Sequence, residues 1–294
     1  MTTLRLIAKE YAGRVAPEDF TLLAASALGR TKEFVFREPD HTLSSEEETA
    51  LRSMLARRVD REPVAYLLGE KEFFGLPFFV TRDTLVPRPE TELLVEEALS
   101  LLSKHDDKTV IADIGTGSGA IVVSLAHSLQ KIHSESSSFT FVATDISSGA
   151  LHIAKRNAEQ NGVAEHIDFF EGNFIDPIPE SVFEEINHIL ILANLPYLSR
   201  TLYESASDDA RLFEPESALV ADEDGLALYI ELLDDIARRK KSRWRNIPVD
   251  GLFEISPEQE PALKNIFFDR FPSSQNDFLP DLSGRTRVFW FRIE

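Results

Sequence analysis

Residues 110–120, VIADIGTGSGA, constrain this chain more than any other segment. An apolar run ends in Asp113-Ile114, and Gly115, Gly117 and Gly119 then turn the chain into a second apolar segment that starts at Ala120. Glycines at such a turn allow positive φ and let another group approach the backbone without meeting a Cβ. Strand, glycine turn and helix in that order begin a βαβ unit, and open α/β sheets bind ligands outside the carboxyl ends of such strands. Gly115, Gly117 and Ala120 also satisfy the dinucleotide spacing G-x-G-x-x-A, so the turn alone leaves the cofactor open.

The flanking pattern extends that unit. Helices are predicted over 90–103, 120–129, 149–160, 225–239 and 257–268, and strands over 109–113, 140–144, 167–171, 188–193, 251–255 and 287–293. This alternation predicts an α/β fold with a mainly parallel sheet covered on both faces. Upstream, Leu4, Ile7, Ala8 and Tyr11 recur at helical spacing, as do Phe20, Leu23, Ala24 and Ala27. Ser44 followed by Glu47 is a capping-box signal for a helix running towards Val59. The aromatic, β-branched stretch EFFGLPFFVTRDTLVPRP carries Gly75 and Pro77 near its middle and reads as a hairpin. A helical domain with its hairpin linker, 1–84, then leads into the α/β domain, 85–294. Serine-rich 134–138 reads as a loop tip.

Composition narrows the chemistry. With no cysteine in 294 residues, disulfides, thiolate metal sites and a cysteine nucleophile are excluded. Seven scattered histidines show no metal-ligand spacing, so no metal is expected. The start, MTTLRLIAKEYAG, lacks the apolar core of a signal peptide. No apolar run approaches the roughly 18 residues that span a bilayer. A soluble, cytoplasmic protein is expected. The formal charge of −19 chiefly makes a well-solvated surface, argues against direct nucleic-acid binding and can steer a basic protein partner inward.

Three further strand ends carry candidate site residues. Asp145 closes the strand after the glycine turn, where a carboxylate can accept hydrogen bonds from both ribose hydroxyls, with Ile146 beside it. Asn173 and Phe174 follow the third strand, placed to bond an adenine edge and cover its face. The strand ILILA then runs into Asn194-Leu195-Pro196-Tyr197. This turn is similar to one found in methyltransferases that alkylate amide-like or amino nitrogens, which are poor nucleophiles because their lone pair is delocalised. That resemblance implies that the Asn194 side-chain carbonyl and the backbone carbonyl of Leu195 each accept one N–H of such a nitrogen, orienting it and raising its electron density, and that Tyr197 packs on the planar group.

Asn194-Leu195-Pro196-Tyr197 resembles the Asn-Pro-Pro-Tyr turn of methyltransferases that alkylate amide-like or amino nitrogens. Leu195 stands where the first proline is usual, a form also typical of ribosomal-RNA adenine dimethylases. The rest of the chain resembles the glutamine methyltransferases of peptide release factors, the HemK/PrmC-like family. The resemblance is carried by REPVAYLLGEKEFFGLPFFVTRDTLVPRPETELLVEEAL at 61–99, FEPESALVADEDGLALYIELL at 213–233 and DLSGRTRVFWF at 281–291. The domain order is also theirs, whereas the RNA dimethylases place their extra helical domain last. Ser256 in FEISPEQ stands where glycine is expected.

The resemblance implies a seven-stranded, Rossmann-like class I methyltransferase domain, with the N-terminal domain recognising the partner. It implies S-adenosylmethionine held by Asp113, Gly115, Thr116, Gly117, Ser118, Gly119, Asp145, Ile146, Asn173, Phe174 and Asn194. Asn194, Leu195, Pro196 and Tyr197 would form the catalytic turn, with Arg88 and Glu90 beside the pocket. The implied substrate is the glutamine of the Gly-Gly-Gln loop of a release factor, placing the protein in translation termination. The alternative is an adenine amino (N6) methyltransferase acting on RNA or DNA.

Overall fold

The computed structural model describes residues 1–103, 108–132 and 139–294; the serine-rich segment 134–138 lies outside these. The chain divides into two compact units, Met1–Lys71 with Ala206–Phe213, and Glu72–Ser205 with Glu214–Glu294.

The first unit is helical: α1 (Leu4–Tyr11), α2 (Pro17–Leu28), α3 (Lys32–Arg37), α4 (Ser45–Val59) and α5 (Val64–Leu68). Several of these starts and stops have a local cause. Pro17 opens α2 at the position that needs no N–H, and Gly29 closes it in the left-handed conformation. Ser44 and Glu47 complete the capping box at α4. Leu4, Ile7, Leu23, Ala24, Leu51 and Leu55 form the core. Arg58 pairs with Asp19 at 2.8 Å and with Asp209 at 2.7 Å, which ties in the segment Ala206–Phe213.

In the second unit, a hairpin of β1 (Glu70–Phe73) and β2 (Leu76–Phe79) turns at Gly75 (φ +71°). Phe73 and Phe78 pack edge to face, and Asn157 pins β2 by exchanging hydrogen bonds with the Phe79 backbone (2.7 and 3.0 Å). The contact division at Lys71/Glu72 thus puts most of the hairpin with the sheet rather than with the helices.

A single turn, Pro89–Thr91, leads into α6 (Glu92–Leu102), and the sheet follows. Its strands are β3 (Thr109–Ile114), β4 (Phe139–Asp145), β5 (Ile167–Glu171), β6 (His188–Ala193), β7 (Val249–Glu254), β8 (Gln275–Pro280) and β9 (Thr286–Ile293), in the order β5-β4-β3-β6-β7-β9-β8. β3 to β7 run parallel, and β9 is antiparallel to both β7 and β8. The intervening helices of this unit are α7 (Ala120–Ile132), α8 (Ser148–Gln160), α9 (Arg200–Ser205), the irregular turn α11 (Asp222–Gly225), α12 (Ala227–Lys240) and α13 (Glu260–Arg270), while α10 (Asp208–Phe213) belongs to the first unit. Alternate strand residues face opposite cores. Val110, Ala112, Ile189 and Ile191 pack on one side with residues of α12 and α13, and Ile111, Leu190 and Leu192 pack on the other with residues of α6 and α7. Among the described residues no helix is long and apolar enough to cross a membrane.

Apolar runs locate six of the strands, and the seventh, β8, is the one such runs do not reveal. Gln275–Pro280 forms the sheet edge with a largely exposed pattern and ends in proline.

The end of the sheet opposite the glycine turn is held by buried charges. His188 Nε2 donates to Asp250 Oδ2 at 2.7 Å, and Arg292 Nη2 donates to the same oxygen at 2.7 Å. Burial alone would raise the Asp250 carboxyl, but the His188 hydrogen bond and the Arg292 charge outweigh it and hold it below its ordinary value. A carboxyl whose folded pKa is depressed contributes stability above its unfolded pKa, about 4, and that stability is lost as pH falls through the folded value. Asp250→Asn should therefore cost roughly 3 kcal/mol at pH 7 and flatten the acid limb of stability. Urea unfolding at pH 7 and pH 3 checks both, and an unchanged acid limb would sink the assignment.

Candidate active site

β3 ends beside β6 with Ile114 opposite Ala193, and β4 and β7 lie outside them. The loops that leave these neighbouring strand ends surround a cavity of about 310 Å³. Gly115, Gly117 and Gly119 all have positive φ (+72°, +55°, +80°) but serve different ends. A Cβ on Gly115 would lie 2.8 Å from the Leu195 side chain, and one on Gly119 would lie 3.1 Å from Ala154 of α8. At Gly117 nothing among the described residues, its chain neighbours aside, lies within 4 Å of that position, which leaves this stretch of backbone open to a ligand. Gly115, Thr116, Gly117 and Ser118 line the cavity; Gly119 and Asp113 do not.

Asp113 lies wholly buried under the turn and accepts a 2.7 Å hydrogen bond from the Thr116 hydroxyl. Burial pushes its carboxyl up to about 7, against that hydrogen bond. Asp145 faces the cavity from the end of β4. Its two oxygens accept the backbone N–H groups of Gly117 and Ser147, each at 2.9 Å, and burial raises its pKa. A carboxylate held by backbone donors keeps acceptor capacity for ligand hydroxyls. Exposed Ile146 and, beyond β5, Asn173 and Phe174 continue the wall. Phe174 takes φ +48° and sits nearly buried against the core.

Asn194, Leu195 and Pro196 form the facing wall. The Asn194 amide donates to Thr91 Oγ1 and to Glu254 Oε2, both at 3.1 Å. Leu195 N–H donates to the Tyr229 hydroxyl at 3.2 Å, and that hydroxyl donates to the Glu254 carbonyl. Among the described residues, Asn194 Oδ1 and the Leu195 carbonyl accept no hydrogen bond. Tyr197 does not line the cavity. Its hydroxyl donates to Glu254 Oε1 at 3.1 Å, and burial pushes the phenol well above its ordinary pKa. Its carbonyl accepts from Gln259 Nε2 at 3.0 Å. A Cβ on Gly225 (φ +84°) would lie 1.9 Å from that carbonyl, so only glycine fits there.

Arg88 lines the cavity and is fixed by buried Glu214 at 2.5 Å, whose second oxygen accepts the Val86 N–H at 3.0 Å. Glu90 is exposed and outside the lining; burial raises the Glu254 pKa, and the Glu90 charge adds to that from a distance. Sequence reasoning misses Glu254, Thr91, Tyr229, Gln259 and Glu214. Glu254 alone leaves a signal, as the carboxylate that follows the apolar pair Leu252-Phe253 in the strand next to the one leading into Asn194. Ser256 and Gln259 form a capping box, with Ser256 N–H donating to Gln259 Oε1 at 3.0 Å.

Leu195 is thus packed and hydrogen-bonded as leucine. Leu195→Pro removes the N–H bonded to Tyr229 and trims the side chain over Gly115, and should cost about 1–3 kcal/mol. Thermal unfolding of this variant checks it, and an unchanged midpoint would mean that the leucine contributes nothing over the proline.

Comparisons with known proteins agree with this architecture. Residues 7–69 match the PrmC N-terminal domain, and residues 105–224 match a methyltransferase domain. The release factor glutamine methyltransferase of Enterococcus faecalis is 36% identical over 248 residues, 84% of this chain and 81% of that protein. Its namesake from Bacillus subtilis is 35% identical, covering 77% and 74%. That from Rhodopirellula baltica is 33% identical, covering 92% and 87%. In fold the chain resembles the hMettl16 catalytic domain (TM-score 0.53, 17% identity, 81% and 79% covered). It also resembles the N-terminal domain of human METTL16 in complex with SAH (TM-score 0.50, 18% identity, 96% and 95% covered). With these identities across most of its length, the chain belongs to the release factor glutamine methyltransferase family.

Proposed function

We propose that this protein methylates the side-chain amide nitrogen of a glutamine in the Gly-Gly-Gln loop of a peptide chain release factor. The observation that carries this reading is the pair of uncommitted acceptors, Asn194 Oδ1 and the Leu195 carbonyl, on one wall of the cavity. A primary amide presents two N–H groups and needs two such acceptors to be held with its nitrogen directed inward. Family membership supports the same substrate.

S-adenosylmethionine supplies the reaction with a methyl group on an electrophilic sulfonium. The chain's donor set fits it. Asp145 is a carboxylate anchored to accept from ribose hydroxyls, the backbone at Gly117 is open, and Asn173 and Phe174 offer a polar edge and an aromatic wall for adenine. Arg88, held by Glu214, puts a cation on the lining for a carboxylate. Asn194 and Leu195 withdraw the amide hydrogens from solvent, orient the nitrogen and stabilise the positive charge that develops there. The proton lost after transfer leaves to water or a nearby acceptor, so no residue need act as a strong base. The helical unit would recognise the release factor, and with such a substrate the enzyme works in the cytoplasm.

The test is transfer of labelled methyl from S-adenosylmethionine to a release factor, to its loop Gln→Ala mutant and to total RNA. Label on the wild-type factor alone is expected. Asn194→Ala should lower kcat by roughly 100-fold or more while the protein still binds cofactor. Label on RNA would instead favour an adenine amino methyltransferase and overturn the substrate.

A further inference from the structure

Glu254 is the last residue of β7, next to the strand that ends at Ala193, and it is 1% exposed. It does not line the cavity, so it cannot touch a ligand there. Its carboxylate nevertheless gathers the polar side chains behind the Asn194 turn. Oε2 accepts from Asn194 Nδ2 at 3.1 Å, Oε1 accepts from the Tyr197 hydroxyl at 3.1 Å, and Thr91 also hydrogen-bonds the group. Burial raises the carboxyl pKa; the Thr91 and Tyr197 hydrogen bonds and the Arg287 charge act the other way.

We infer that Glu254 is a positioning residue that sets which end of the Asn194 amide faces the substrate, an inference that rests on the methyl-transfer reading. Both oxygens of Glu254 already act as acceptors, Oε1 from the Tyr197 hydroxyl and Oε2 from Asn194, so the Asn194 atom beside it is the NH₂. The amide is planar, and the other end, facing the cavity, is therefore the carbonyl oxygen. A flipped Asn194 would present NH₂ to the incoming NH₂ of the substrate, donor against donor, and would leave two buried acceptors opposed at Glu254. Tyr197 ties the far side of the turn to the same carboxylate, so Asn194 and the Leu195 carbonyl are held as one unit. A glutamine at 254 could offer either end of its own amide, and the constraint would be lost.

The relation is one of donor to acceptor and can be reversed. Asn194→Asp sets two carboxylates face to face in a buried site and should lower kcat by about 100-fold. Adding Glu254→Gln lets the new amide donate to one oxygen of the introduced carboxylate, while the second oxygen of that carboxylate still faces the cavity. This pair should be about tenfold faster than Asn194→Asp alone, although Glu254→Gln by itself should slow kcat by about tenfold. Cofactor Kd, measured by calorimetry, should stay within about twofold in Glu254→Gln, since no cofactor contact is assigned to it. A double variant no faster than Asn194→Asp would overturn the inference. So would Glu254→Gln with wild-type kcat and only a changed KM. A wild-type enzyme that transfers no methyl to the release factor sinks the substrate reading instead, and the two failures are thereby distinguished.

Discussion

The pairing of β3 with β6 is the constraint on which the site depends. After β3 the chain adds β4 and β5 on one side, then returns to lay β6 on the other. The loops leaving β3 and β6 therefore diverge from adjacent strand ends and leave a crevice between them, as sheets do wherever their winding reverses. Gly115 and Leu195 meet across that crevice so closely that a Cβ on Gly115 would lie 2.8 Å from the leucine side chain. With register Ile114 opposite Ala193, the open backbone at Gly117 and the Asn194 turn face one cavity.

Around that pairing the site divides into two tiers. The residues that line it, such as Asp145, Asn173 and Asn194, keep unspent hydrogen-bonding capacity. Behind them lie groups that hold the first tier in place: Glu214 on Arg88, Glu254 on Asn194 and Tyr197, and Asp113, which bonds Thr116 through one of its two oxygens. Buried carboxylates are costly unless several donors converge on them. At Glu254 and Glu214 that cost is offset by contacts that also fix the geometry of the walls.

The first tier was legible in the sequence and the second largely was not, for a physical reason. Gly115, Asp145 and Asn194 lie at or directly after the ends of apolar strands, so their place at carboxyl ends can be read from local pattern. Glu214 and Gln259 act on partners 126 and 62 residues away, and nothing in their own neighbourhood shows it. Tyr197 and Asp113 sit within the motifs yet do not line the cavity: the Tyr197 hydroxyl is bonded to buried Glu254, and Asp113 is itself buried, with one oxygen bonded to Thr116. The alternation of strands and helices located six strands, while β8 escaped because an exposed edge strand carries no apolar run.

Residues 206–213 belong with the helical unit although they follow β6. The chain therefore crosses between the units three times, at 71–72, 205–206 and 213–214. Synthesis proceeds from the amino terminus, so the helical unit emerges first but lacks Asp209, one of the two partners of Arg58. It is completed only after β3 to β6 have already been made. Folding of the two units is thus interleaved in time as well as in sequence, and no single cut of the chain yields both pieces whole.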